Sequence, residues 1–302
     1  MTTEDGSLLI KPALKQELAF YQRIQSDPAE AFIALKKYTP KFLGTLTLEG
    51  EAAGSIDEGT LQIKPVGERK ESLVLENLSH KFSKPNILDI KLGTVLYDDA
   101  ANEDKVQRML KTARETTSLE TGVRLTGFQV YDNSTGVAVN TPKSYGKSIK
   151  PADLPDGVGR FFPAGDAEGS SQGLPKATLI PILESIRAEI AEIRDALSKL
   201  EFRMVGGSIL IIYEADWERA AEGIKQYLAS HSKPKADAEE EEEDEEDESD
   251  DEDHAPPPAY TVKMIDFAHT KVEAGIGPDE GVLLGVDTTL KLLDGRIATL
   301  KA

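Results

Sequence analysis

The sequence predicts an α+β fold. Between Thr45 and Leu92, short runs alternate apolar with polar residues and are separated by Gly, Asp and Glu, the pattern of strands in an antiparallel sheet. Further on, Leu179, Ile182, Leu183, Ile186, Ile190, Ile193, Leu197 and Leu200 step mostly by three and four, which is one apolar helix face. At 302 residues and 39% hydrophobic, the chain can bury one large core or two smaller ones.

The elements follow in order. Ser7 to Lys11 is a short β-type run closed by Pro12, and Leu14, Leu18, Tyr21 and Ile24 then recur at helical spacing. Three alternating runs, Thr45 to Leu48, Thr60 to Ile63 and Ser72 to Leu75, read as three strands. Ile87 to Leu92 reads as another, and it brings Asp89 and Lys91 out on one face because side chains at i and i+2 point the same way. A charged helix is expected from Asn102 to about Ser118, then a strand from Val123 to Val130. The Asn133-Ser134-Thr135-Gly136 turn and the returning Val137-Ala138-Val139 make a hairpin.

Pro142 to Pro175, rich in Gly, Pro, Lys and Ser, predicts a long loop with at most brief structure. The long amphipathic helix comes next, broken off by Gly206-Gly207. A buried strand from Ser208 to Tyr213 and a helix from Asp216 to about Ala229 follow. Residues 232–260 carry the acidic block and Pro256-Pro257-Pro258, a composition expected to form a disordered insertion. The fold then resumes with a strand from Thr261 to Ile265 and a helix from Gly281 to Leu293, so the halves on either side of the insertion must pack together.

Charge divides the chain the same way. Acids outnumber bases 54 to 35, for a net charge of −19, but residues 237–253 hold 15 of those acids and no base. The remainder, 39 acids against 35 bases, is nearly balanced. A nucleic-acid binder is disfavoured, since no basic stripe is interleaved with aromatics. With no cysteine, disulfides and Cys-based zinc sites are excluded. The longest apolar run, Ile209 to Tyr213, is far short of the ~20 residues of a membrane span. The first six residues lack a secretory pattern, and an intracellular protein is expected.

Three clusters could carry chemistry. Asp89 and Lys91, taken alone, read most simply as a solvated pair. Asp266, after a β-run and between bulky apolar residues in Ile265-Asp266-Phe267-Ala268-His269, needs a cation to offset its burial, and a divalent metal is one candidate; a helix-cap role is the plainer alternative. Gly206-Gly207-Ser208 could allow close backbone approach to a ligand, or simply stop a helix.

Taken together, Pro85-x-x-x-Asp89-x-Lys91-x-Gly93, Ser208-Ile209-Leu210 and Ile265-Asp266-Phe267-Ala268-His269 resemble, in order and spacing, the motifs of the inositol polyphosphate kinase family. The resemblance covers nearly the whole chain apart from the acidic insertion. It implies a two-lobed fold related to protein kinases, with an antiparallel-sheet N-lobe over residues 1–80, a larger mixed C-lobe over 81–302, and ATP in the cleft between them.

It also implies roles. Lys11 matches the lysine reaching the ATP phosphates, Glu76 and Leu78 the hinge that holds adenine, and Asp89 the ribose ligand. Lys91 matches the residue contacting substrate and the transferring phosphoryl group. Asp266 would bind Mg²⁺, Ser208 would help order metal and phosphates, and His269 would contact the inositol phosphate.

Lys105, Arg108 and Lys111 fall where the family's substrate-binding helix lies, at i, i+3 and i+6. An ordinary solvated helix surface, with Asp104 pairing Arg108 and Glu115 pairing Lys111, explains them equally well. Lys143, Lys147 and Lys150 form a second basic group that could close over the ligand, with a flexible solvated loop explaining them at least as well. Two departures stand out: only ten residues precede Lys11, so the roof over the nucleotide is expected to be incomplete, and Ile209 stands where the family often has Leu.

The implied activity is an ATP- and Mg²⁺-dependent kinase, expected to be monomeric, acting on inositol trisphosphate and onward to tetrakis- and pentakisphosphate. A kinase acting chiefly on phosphoinositide lipid headgroups is an alternative that the sequence leaves open. The rival is a non-catalytic scaffold whose acidic insertion binds basic protein partners. Residence in both nucleus and cytoplasm is expected.

Overall fold

The computed structural model describes residues 1–53, 62–165, 172–231 and 257–302. The chain opens with β1 (Leu8–Pro12), α1 (Lys15–Ser26) and α2 (Glu30–Lys36). Two long strands follow, β2 (Phe42–Ala53) and β3 (Gln62–Glu76), and the three strands form an antiparallel sheet in the order β1-β3-β2. Gln62 and Ile63 of the expected Thr60–Ile63 strand thus lie on one strand with Ser72 to Leu75, expected as separate, while Thr60 and Leu61 fall outside the described residues. Register shifts between Phe42 and Gly44 and between Leu48 and Gly50 absorb the irregular spacing.

The second sheet has five antiparallel strands in the order β11-β10-β4-β5-β6, from β4 (Pro85–Leu92), β5 (Val123–Asp132), β6 (Val137–Thr141), β10 (Ser208–Glu214) and β11 (Tyr260–Ile265). In β4, Asn86, Leu88, Ile90 and Leu92 are buried while Ile87, Asp89 and Lys91 are half-buried, as its alternation predicts. Between β4 and β5 run α3 (Glu103–Glu115), capped by the Asn102 side chain on Lys105 N, and the short α4 (Ser118–Thr121).

The stretch expected as a loop after Pro142 is more ordered than composition suggested. It contains α5 (Tyr145–Ser148), a 3₁₀ turn (Pro151–Asp153), α6 (Leu154–Phe161) and the paired segments β7 (Ala164–Gly165) and β8 (Leu174–Pro175). Leu154, Val158 and Phe161 are spaced by four and three and are buried, so even this Gly- and Pro-rich helix has one apolar face for the core. Gly146 is required by packing, because a Cβ there would sit on the Leu125 carbonyl.

The long helix α7 (Lys176–Ser198) buries Ile182, Leu183, Ile186, Ile190, Ile193 and Leu197. Each such side chain contributes at most about 1.5–3 kcal/mol. Gly206-Gly207 does not end it; β9 (Phe202–Val205) intervenes, and the two glycines turn β9 into β10. After β10 comes α8 (Trp217–His231). The expected disordered insertion, through residue 256, lies outside the described residues. Its expected last four residues are placed: Ala259 is buried, Pro257 and Ala259 abut Gly223 of α8, and Tyr260 opens β11.

After β11, the short β12 (His269–Val272) pairs with β9, and α9 (Glu280–Lys301) runs almost to the C-terminus, well past the expected Leu293. Asp279 caps α9 through Val282 N and also accepts from Met204 N at 3.0 Å, tying the helix to β9. The sheets are joined at α1, where Phe20 stacks on Phe267 at 4.2 Å and Tyr21 meets Phe267 edge-on at 5.6 Å. Met264 N donates to the Tyr38 carbonyl at 2.6 Å alongside.

Candidate active site

Strand register brings the distant motifs together. On β10, Ser208 stands opposite Lys91 of β4 on one side and Ile265 of β11 on the other, and Leu210 stands opposite Asp89. Asp266, one residue past the end of β11, has φ 66°, and among the described residues it is the one non-glycine with positive φ. Aspartate tolerates that left-handed conformation better than most residues. Its carboxylate lies against Lys91: Lys91 Nζ donates to Asp266 Oδ2 at 2.6 Å and to Ser208 Oγ at 2.8 Å, and lies 3.7 Å from Asp89 Oδ2.

Beside this cluster is a cavity of about 180 Å³ between the two sheets. Ile87, Leu210, Ile212 and Ile265 give it an apolar floor, with Lys11, Glu76, Leu78 and Asp266 at its margins. Lys11 Nζ donates to Glu17 Oε1 at 2.7 Å, and Glu17 is buried on the inward face of α1. Glu76 Oε1 accepts from Lys41 N at 2.8 Å and Glu76 N donates to the Lys41 carbonyl at 3.0 Å, so this residue of the cavity wall is anchored through both side chain and amide.

A second cavity, of about 690 Å³, opens beyond the turn at Phe267-Ala268. Gly93, Tyr97, Asp98, Arg203, His269 and Lys271 are among its lining residues. His269 Nδ1 lies 2.6 Å from Asp98 Oδ2, and Lys105 Nζ lies 3.9 Å from Asp98 Oδ1. The rest of the α3 stripe is less engaged: Lys111 pairs with Glu115 at 3.8 Å on an exposed surface, and Arg108 Nε donates to the Asp104 carbonyl at 3.4 Å rather than to its carboxylate. In the stretch after Pro142, Lys150 Nζ donates to the Glu115 carbonyl at 3.3 Å, so it is held against the end of α3.

Three residues near the site were not legible as such in the sequence. Glu17 carried a signal, being an acid on the same helical face as Tyr21 and Ile24. Arg124 of β5 stands opposite Lys91 in register; burial lowers its pKa, opposed by the nearby Asp89 charge. Asp98 has no sequence pattern that distinguishes it from its neighbour Asp99.

The chain matches the family model described as "Inositol polyphosphate kinase" over residues 72–294. This protein belongs to the inositol polyphosphate kinase family. It is 32% identical to the inositol polyphosphate multikinase of Saccharomyces cerevisiae across 97% of this chain and 93% of that protein. It is 28% identical to the inositol hexakisphosphate kinase 3 of Mus musculus, matching 76% of this chain but spanning only about half (52%) of that relative. Among solved structures, the S. cerevisiae multikinase Ipk2 in complex with ADP and Mn²⁺ superposes with a TM-score of 0.65 at 27% identity, over 96% of this chain and 98% of that one. The fold is the two-lobed α+β kinase fold of that family.

The residues present fit the nucleotide and metal that this family implies. Asp89 Oδ1 is buried with no hydrogen-bond partner, an acceptor awaiting a donor such as a ribose hydroxyl. No group of three or more acidic or histidine side chains among the described residues could enclose a metal. One carboxylate, Asp266, with the neighbouring Ser208 hydroxyl therefore suits an ion such as Mg²⁺, which takes one or two protein carboxylates and completes its shell with substrate phosphates and water.

Proposed function

We propose that this chain transfers the terminal phosphoryl group of ATP to hydroxyls of soluble inositol polyphosphates, taking the trisphosphate to tetrakis- and pentakisphosphate as a multikinase would. The observation that carries the proposal is the meeting of Asp89, Lys91, Ser208 and Asp266 in the five-stranded sheet, beside the apolar slot that Asp266 helps to line. Phosphoryl transfer asks a protein chiefly for positioning and charge stabilisation, and this arrangement can offer both. Bound ATP with its Mg²⁺ would supply the phosphoryl group and neutralise its charge.

The chain's own residues would do the rest. Ile87, Leu210, Ile212 and Ile265 would receive the adenine, with the Glu76 and Leu78 main chain at its edge. Asp89 would hold the ribose, and Lys11, held by Glu17, would meet the phosphates. Asp266 and Ser208 would hold the metal end, leaving Lys91 beside the group in transit. His269 and Lys105, on the side of the larger cavity, would receive the phosphates of the acceptor.

The test compares ATP turnover with inositol trisphosphate in the parent and in Asp266→Asn. Asparagine accepts the left-handed backbone, so the variant keeps its fold while losing the charge. A fall in kcat of about 10²–10³-fold is expected. Equal rates in both would remove the kinase reading. Preferential turnover of phosphoinositide vesicles, or stable capture of basic peptides without turnover, would replace it with the lipid or scaffold reading.

A further inference from the structure

We propose that Asp98 is the positioning residue of the acceptor site, one carboxylate that fixes His269 and Lys105 relative to each other. This deepens the reading above and rests on it. The two side chains come from elements that no strand pairing connects: His269 begins β12, and Lys105 lies in the first turn of α3. The loop after β4 carries Asp98 between them.

The two oxygens of this carboxylate are used differently. Oδ2 lies 2.6 Å from His269 Nδ1, so that nitrogen is committed and Nε2 is the one left to meet a ligand. Oδ1 is buried and has no hydrogen-bond partner, while the Lys105 ammonium stands 3.9 Å away. An approach of about 1 Å would bring that pair to hydrogen-bonding distance. The Asp98 side chain is only 18% exposed, against 41% for His269 and 40% for Lys105, so the two basic side chains are more open to a ligand than the acid beside them.

Placement decides the sign of its effect. A carboxylate in a pocket for a polyanion repels the ligand if it faces it directly. Here Oδ2 is turned to the His269 ring and Oδ1 is buried with the Lys105 ammonium 3.9 Å away, so what the carboxylate offers the cavity is the ordered placement of those two side chains. Asp99, at 95% exposed beside it, has no such enclosure.

The experiment uses the full chain and measures KM and kcat for inositol trisphosphate and for ATP in the parent, Asp98→Ala, Asp98→Asn, His269→Ala and the Asp98→Ala/His269→Ala double variant. Asp98→Ala should raise the acceptor KM about tenfold or more, with the ATP KM within about twofold. Asp98→Asn should recover most of the loss, because its amide oxygen can still accept from Nδ1–H. The double variant should be worse than His269→Ala by less than the full Asp98→Ala loss, since Asp98 would act through that ring and, beyond it, through Lys105.

Multiplicative losses in the double variant, an unchanged acceptor KM, or equal damage to both KM values would overturn the inference. If Asp98→Ala does not fold, Asp98→Asn alone decides: its acceptor KM should stay within about threefold of the parent, and a larger rise would sink the proposal. No turnover in the parent would remove the kinase reading and this inference together. Turnover without the predicted coupling would remove this inference alone.

Discussion

Lys11 and Glu17 form a 2.7 Å ion pair whose partners differ sharply in burial: the lysine side chain is 28% exposed and the glutamate 3%. Lys11→Ala therefore strands a carboxylate in the interior and should cost about 3 kcal/mol. Glu17→Gln leaves a lysine that can turn to water and should cost about 1 kcal/mol, while raising the KM for ATP. Urea unfolding of both variants without nucleotide measures the order; the reverse order would show that the glutamate finds another partner.

Lys91 stands between two acids, 2.6 Å from Asp266 Oδ2 and 3.7 Å from Asp89 Oδ2. Lys91→Met removes the shared cation and the group beside the phosphoryl in transit. A loss of about 10²–10³-fold in kcat is expected, with nucleotide affinity less affected because Asp89 and the apolar slot remain. Single-turnover kinetics separates the two effects, and a kcat within tenfold of the parent would place the ammonium away from the reacting group.

Phe267 adjoins Asp266, is 1% exposed and stacks on Phe20. Phe267→Ala should destabilise by about 3–5 kcal/mol through the cavity it opens. The same change loosens the turn that aims Asp266, so kcat should fall even at temperatures where the variant is fully folded. Thermal melting and rate, measured side by side, check both parts.

Lys105 and Lys111 share a helix but not a setting. Lys105→Ala should raise the acceptor KM about tenfold, whereas Lys111→Ala, which removes an exposed i,i+4 pair with Glu115, should change stability by less than about 0.5 kcal/mol and leave KM nearly unchanged. An equal rise in KM for both would mean that the whole helix face meets the substrate.

Glu189 of α7 lies among Tyr260 at 2.8 Å and Tyr227 at 3.3 Å, and burial raises its pKa above the ordinary 4.5. The folded chain therefore binds that proton more tightly than the unfolded one, and at neutral pH the ionised form costs stability. Glu189→Gln keeps an acceptor for both phenols without the charge. It should be more stable than the parent at pH 7, with the advantage shrinking as pH falls through the raised value and gone below 4.5. Chemical denaturation across that range tests it; a constant difference would assign the effect to packing.

Much of the fold and the core of the candidate site were legible in the sequence, for reasons specific to each part. Leu88 to Leu92 alternates strictly, so its strand and its polar face followed from the two-residue repeat. The helix bearing Ile182 to Leu197 followed from its 3.6-residue repeat. The helix Leu154–Phe161 did not, because Gly157, Gly159 and two flanking prolines hide a three-residue apolar face that only the core makes stable. The strand His269–Val272 is too short to carry a pattern of its own and exists by pairing with Phe202–Val205.

Local order along the chain settled most of the longer strands, the main helices and the motif residues, because periodicity and turn chemistry act over a few residues and are written in them. What only the tertiary structure decided was which side chains meet across long separations. Ser208 stands between Lys91 and Ile265 because of strand register, Glu17 closes on Lys11 because α1 packs inward, and Asp98 reaches His269 because a loop and a short strand are set against each other. Those contacts depend on how the elements dock, and docking is fixed by burial of the whole core rather than by any segment's own sequence.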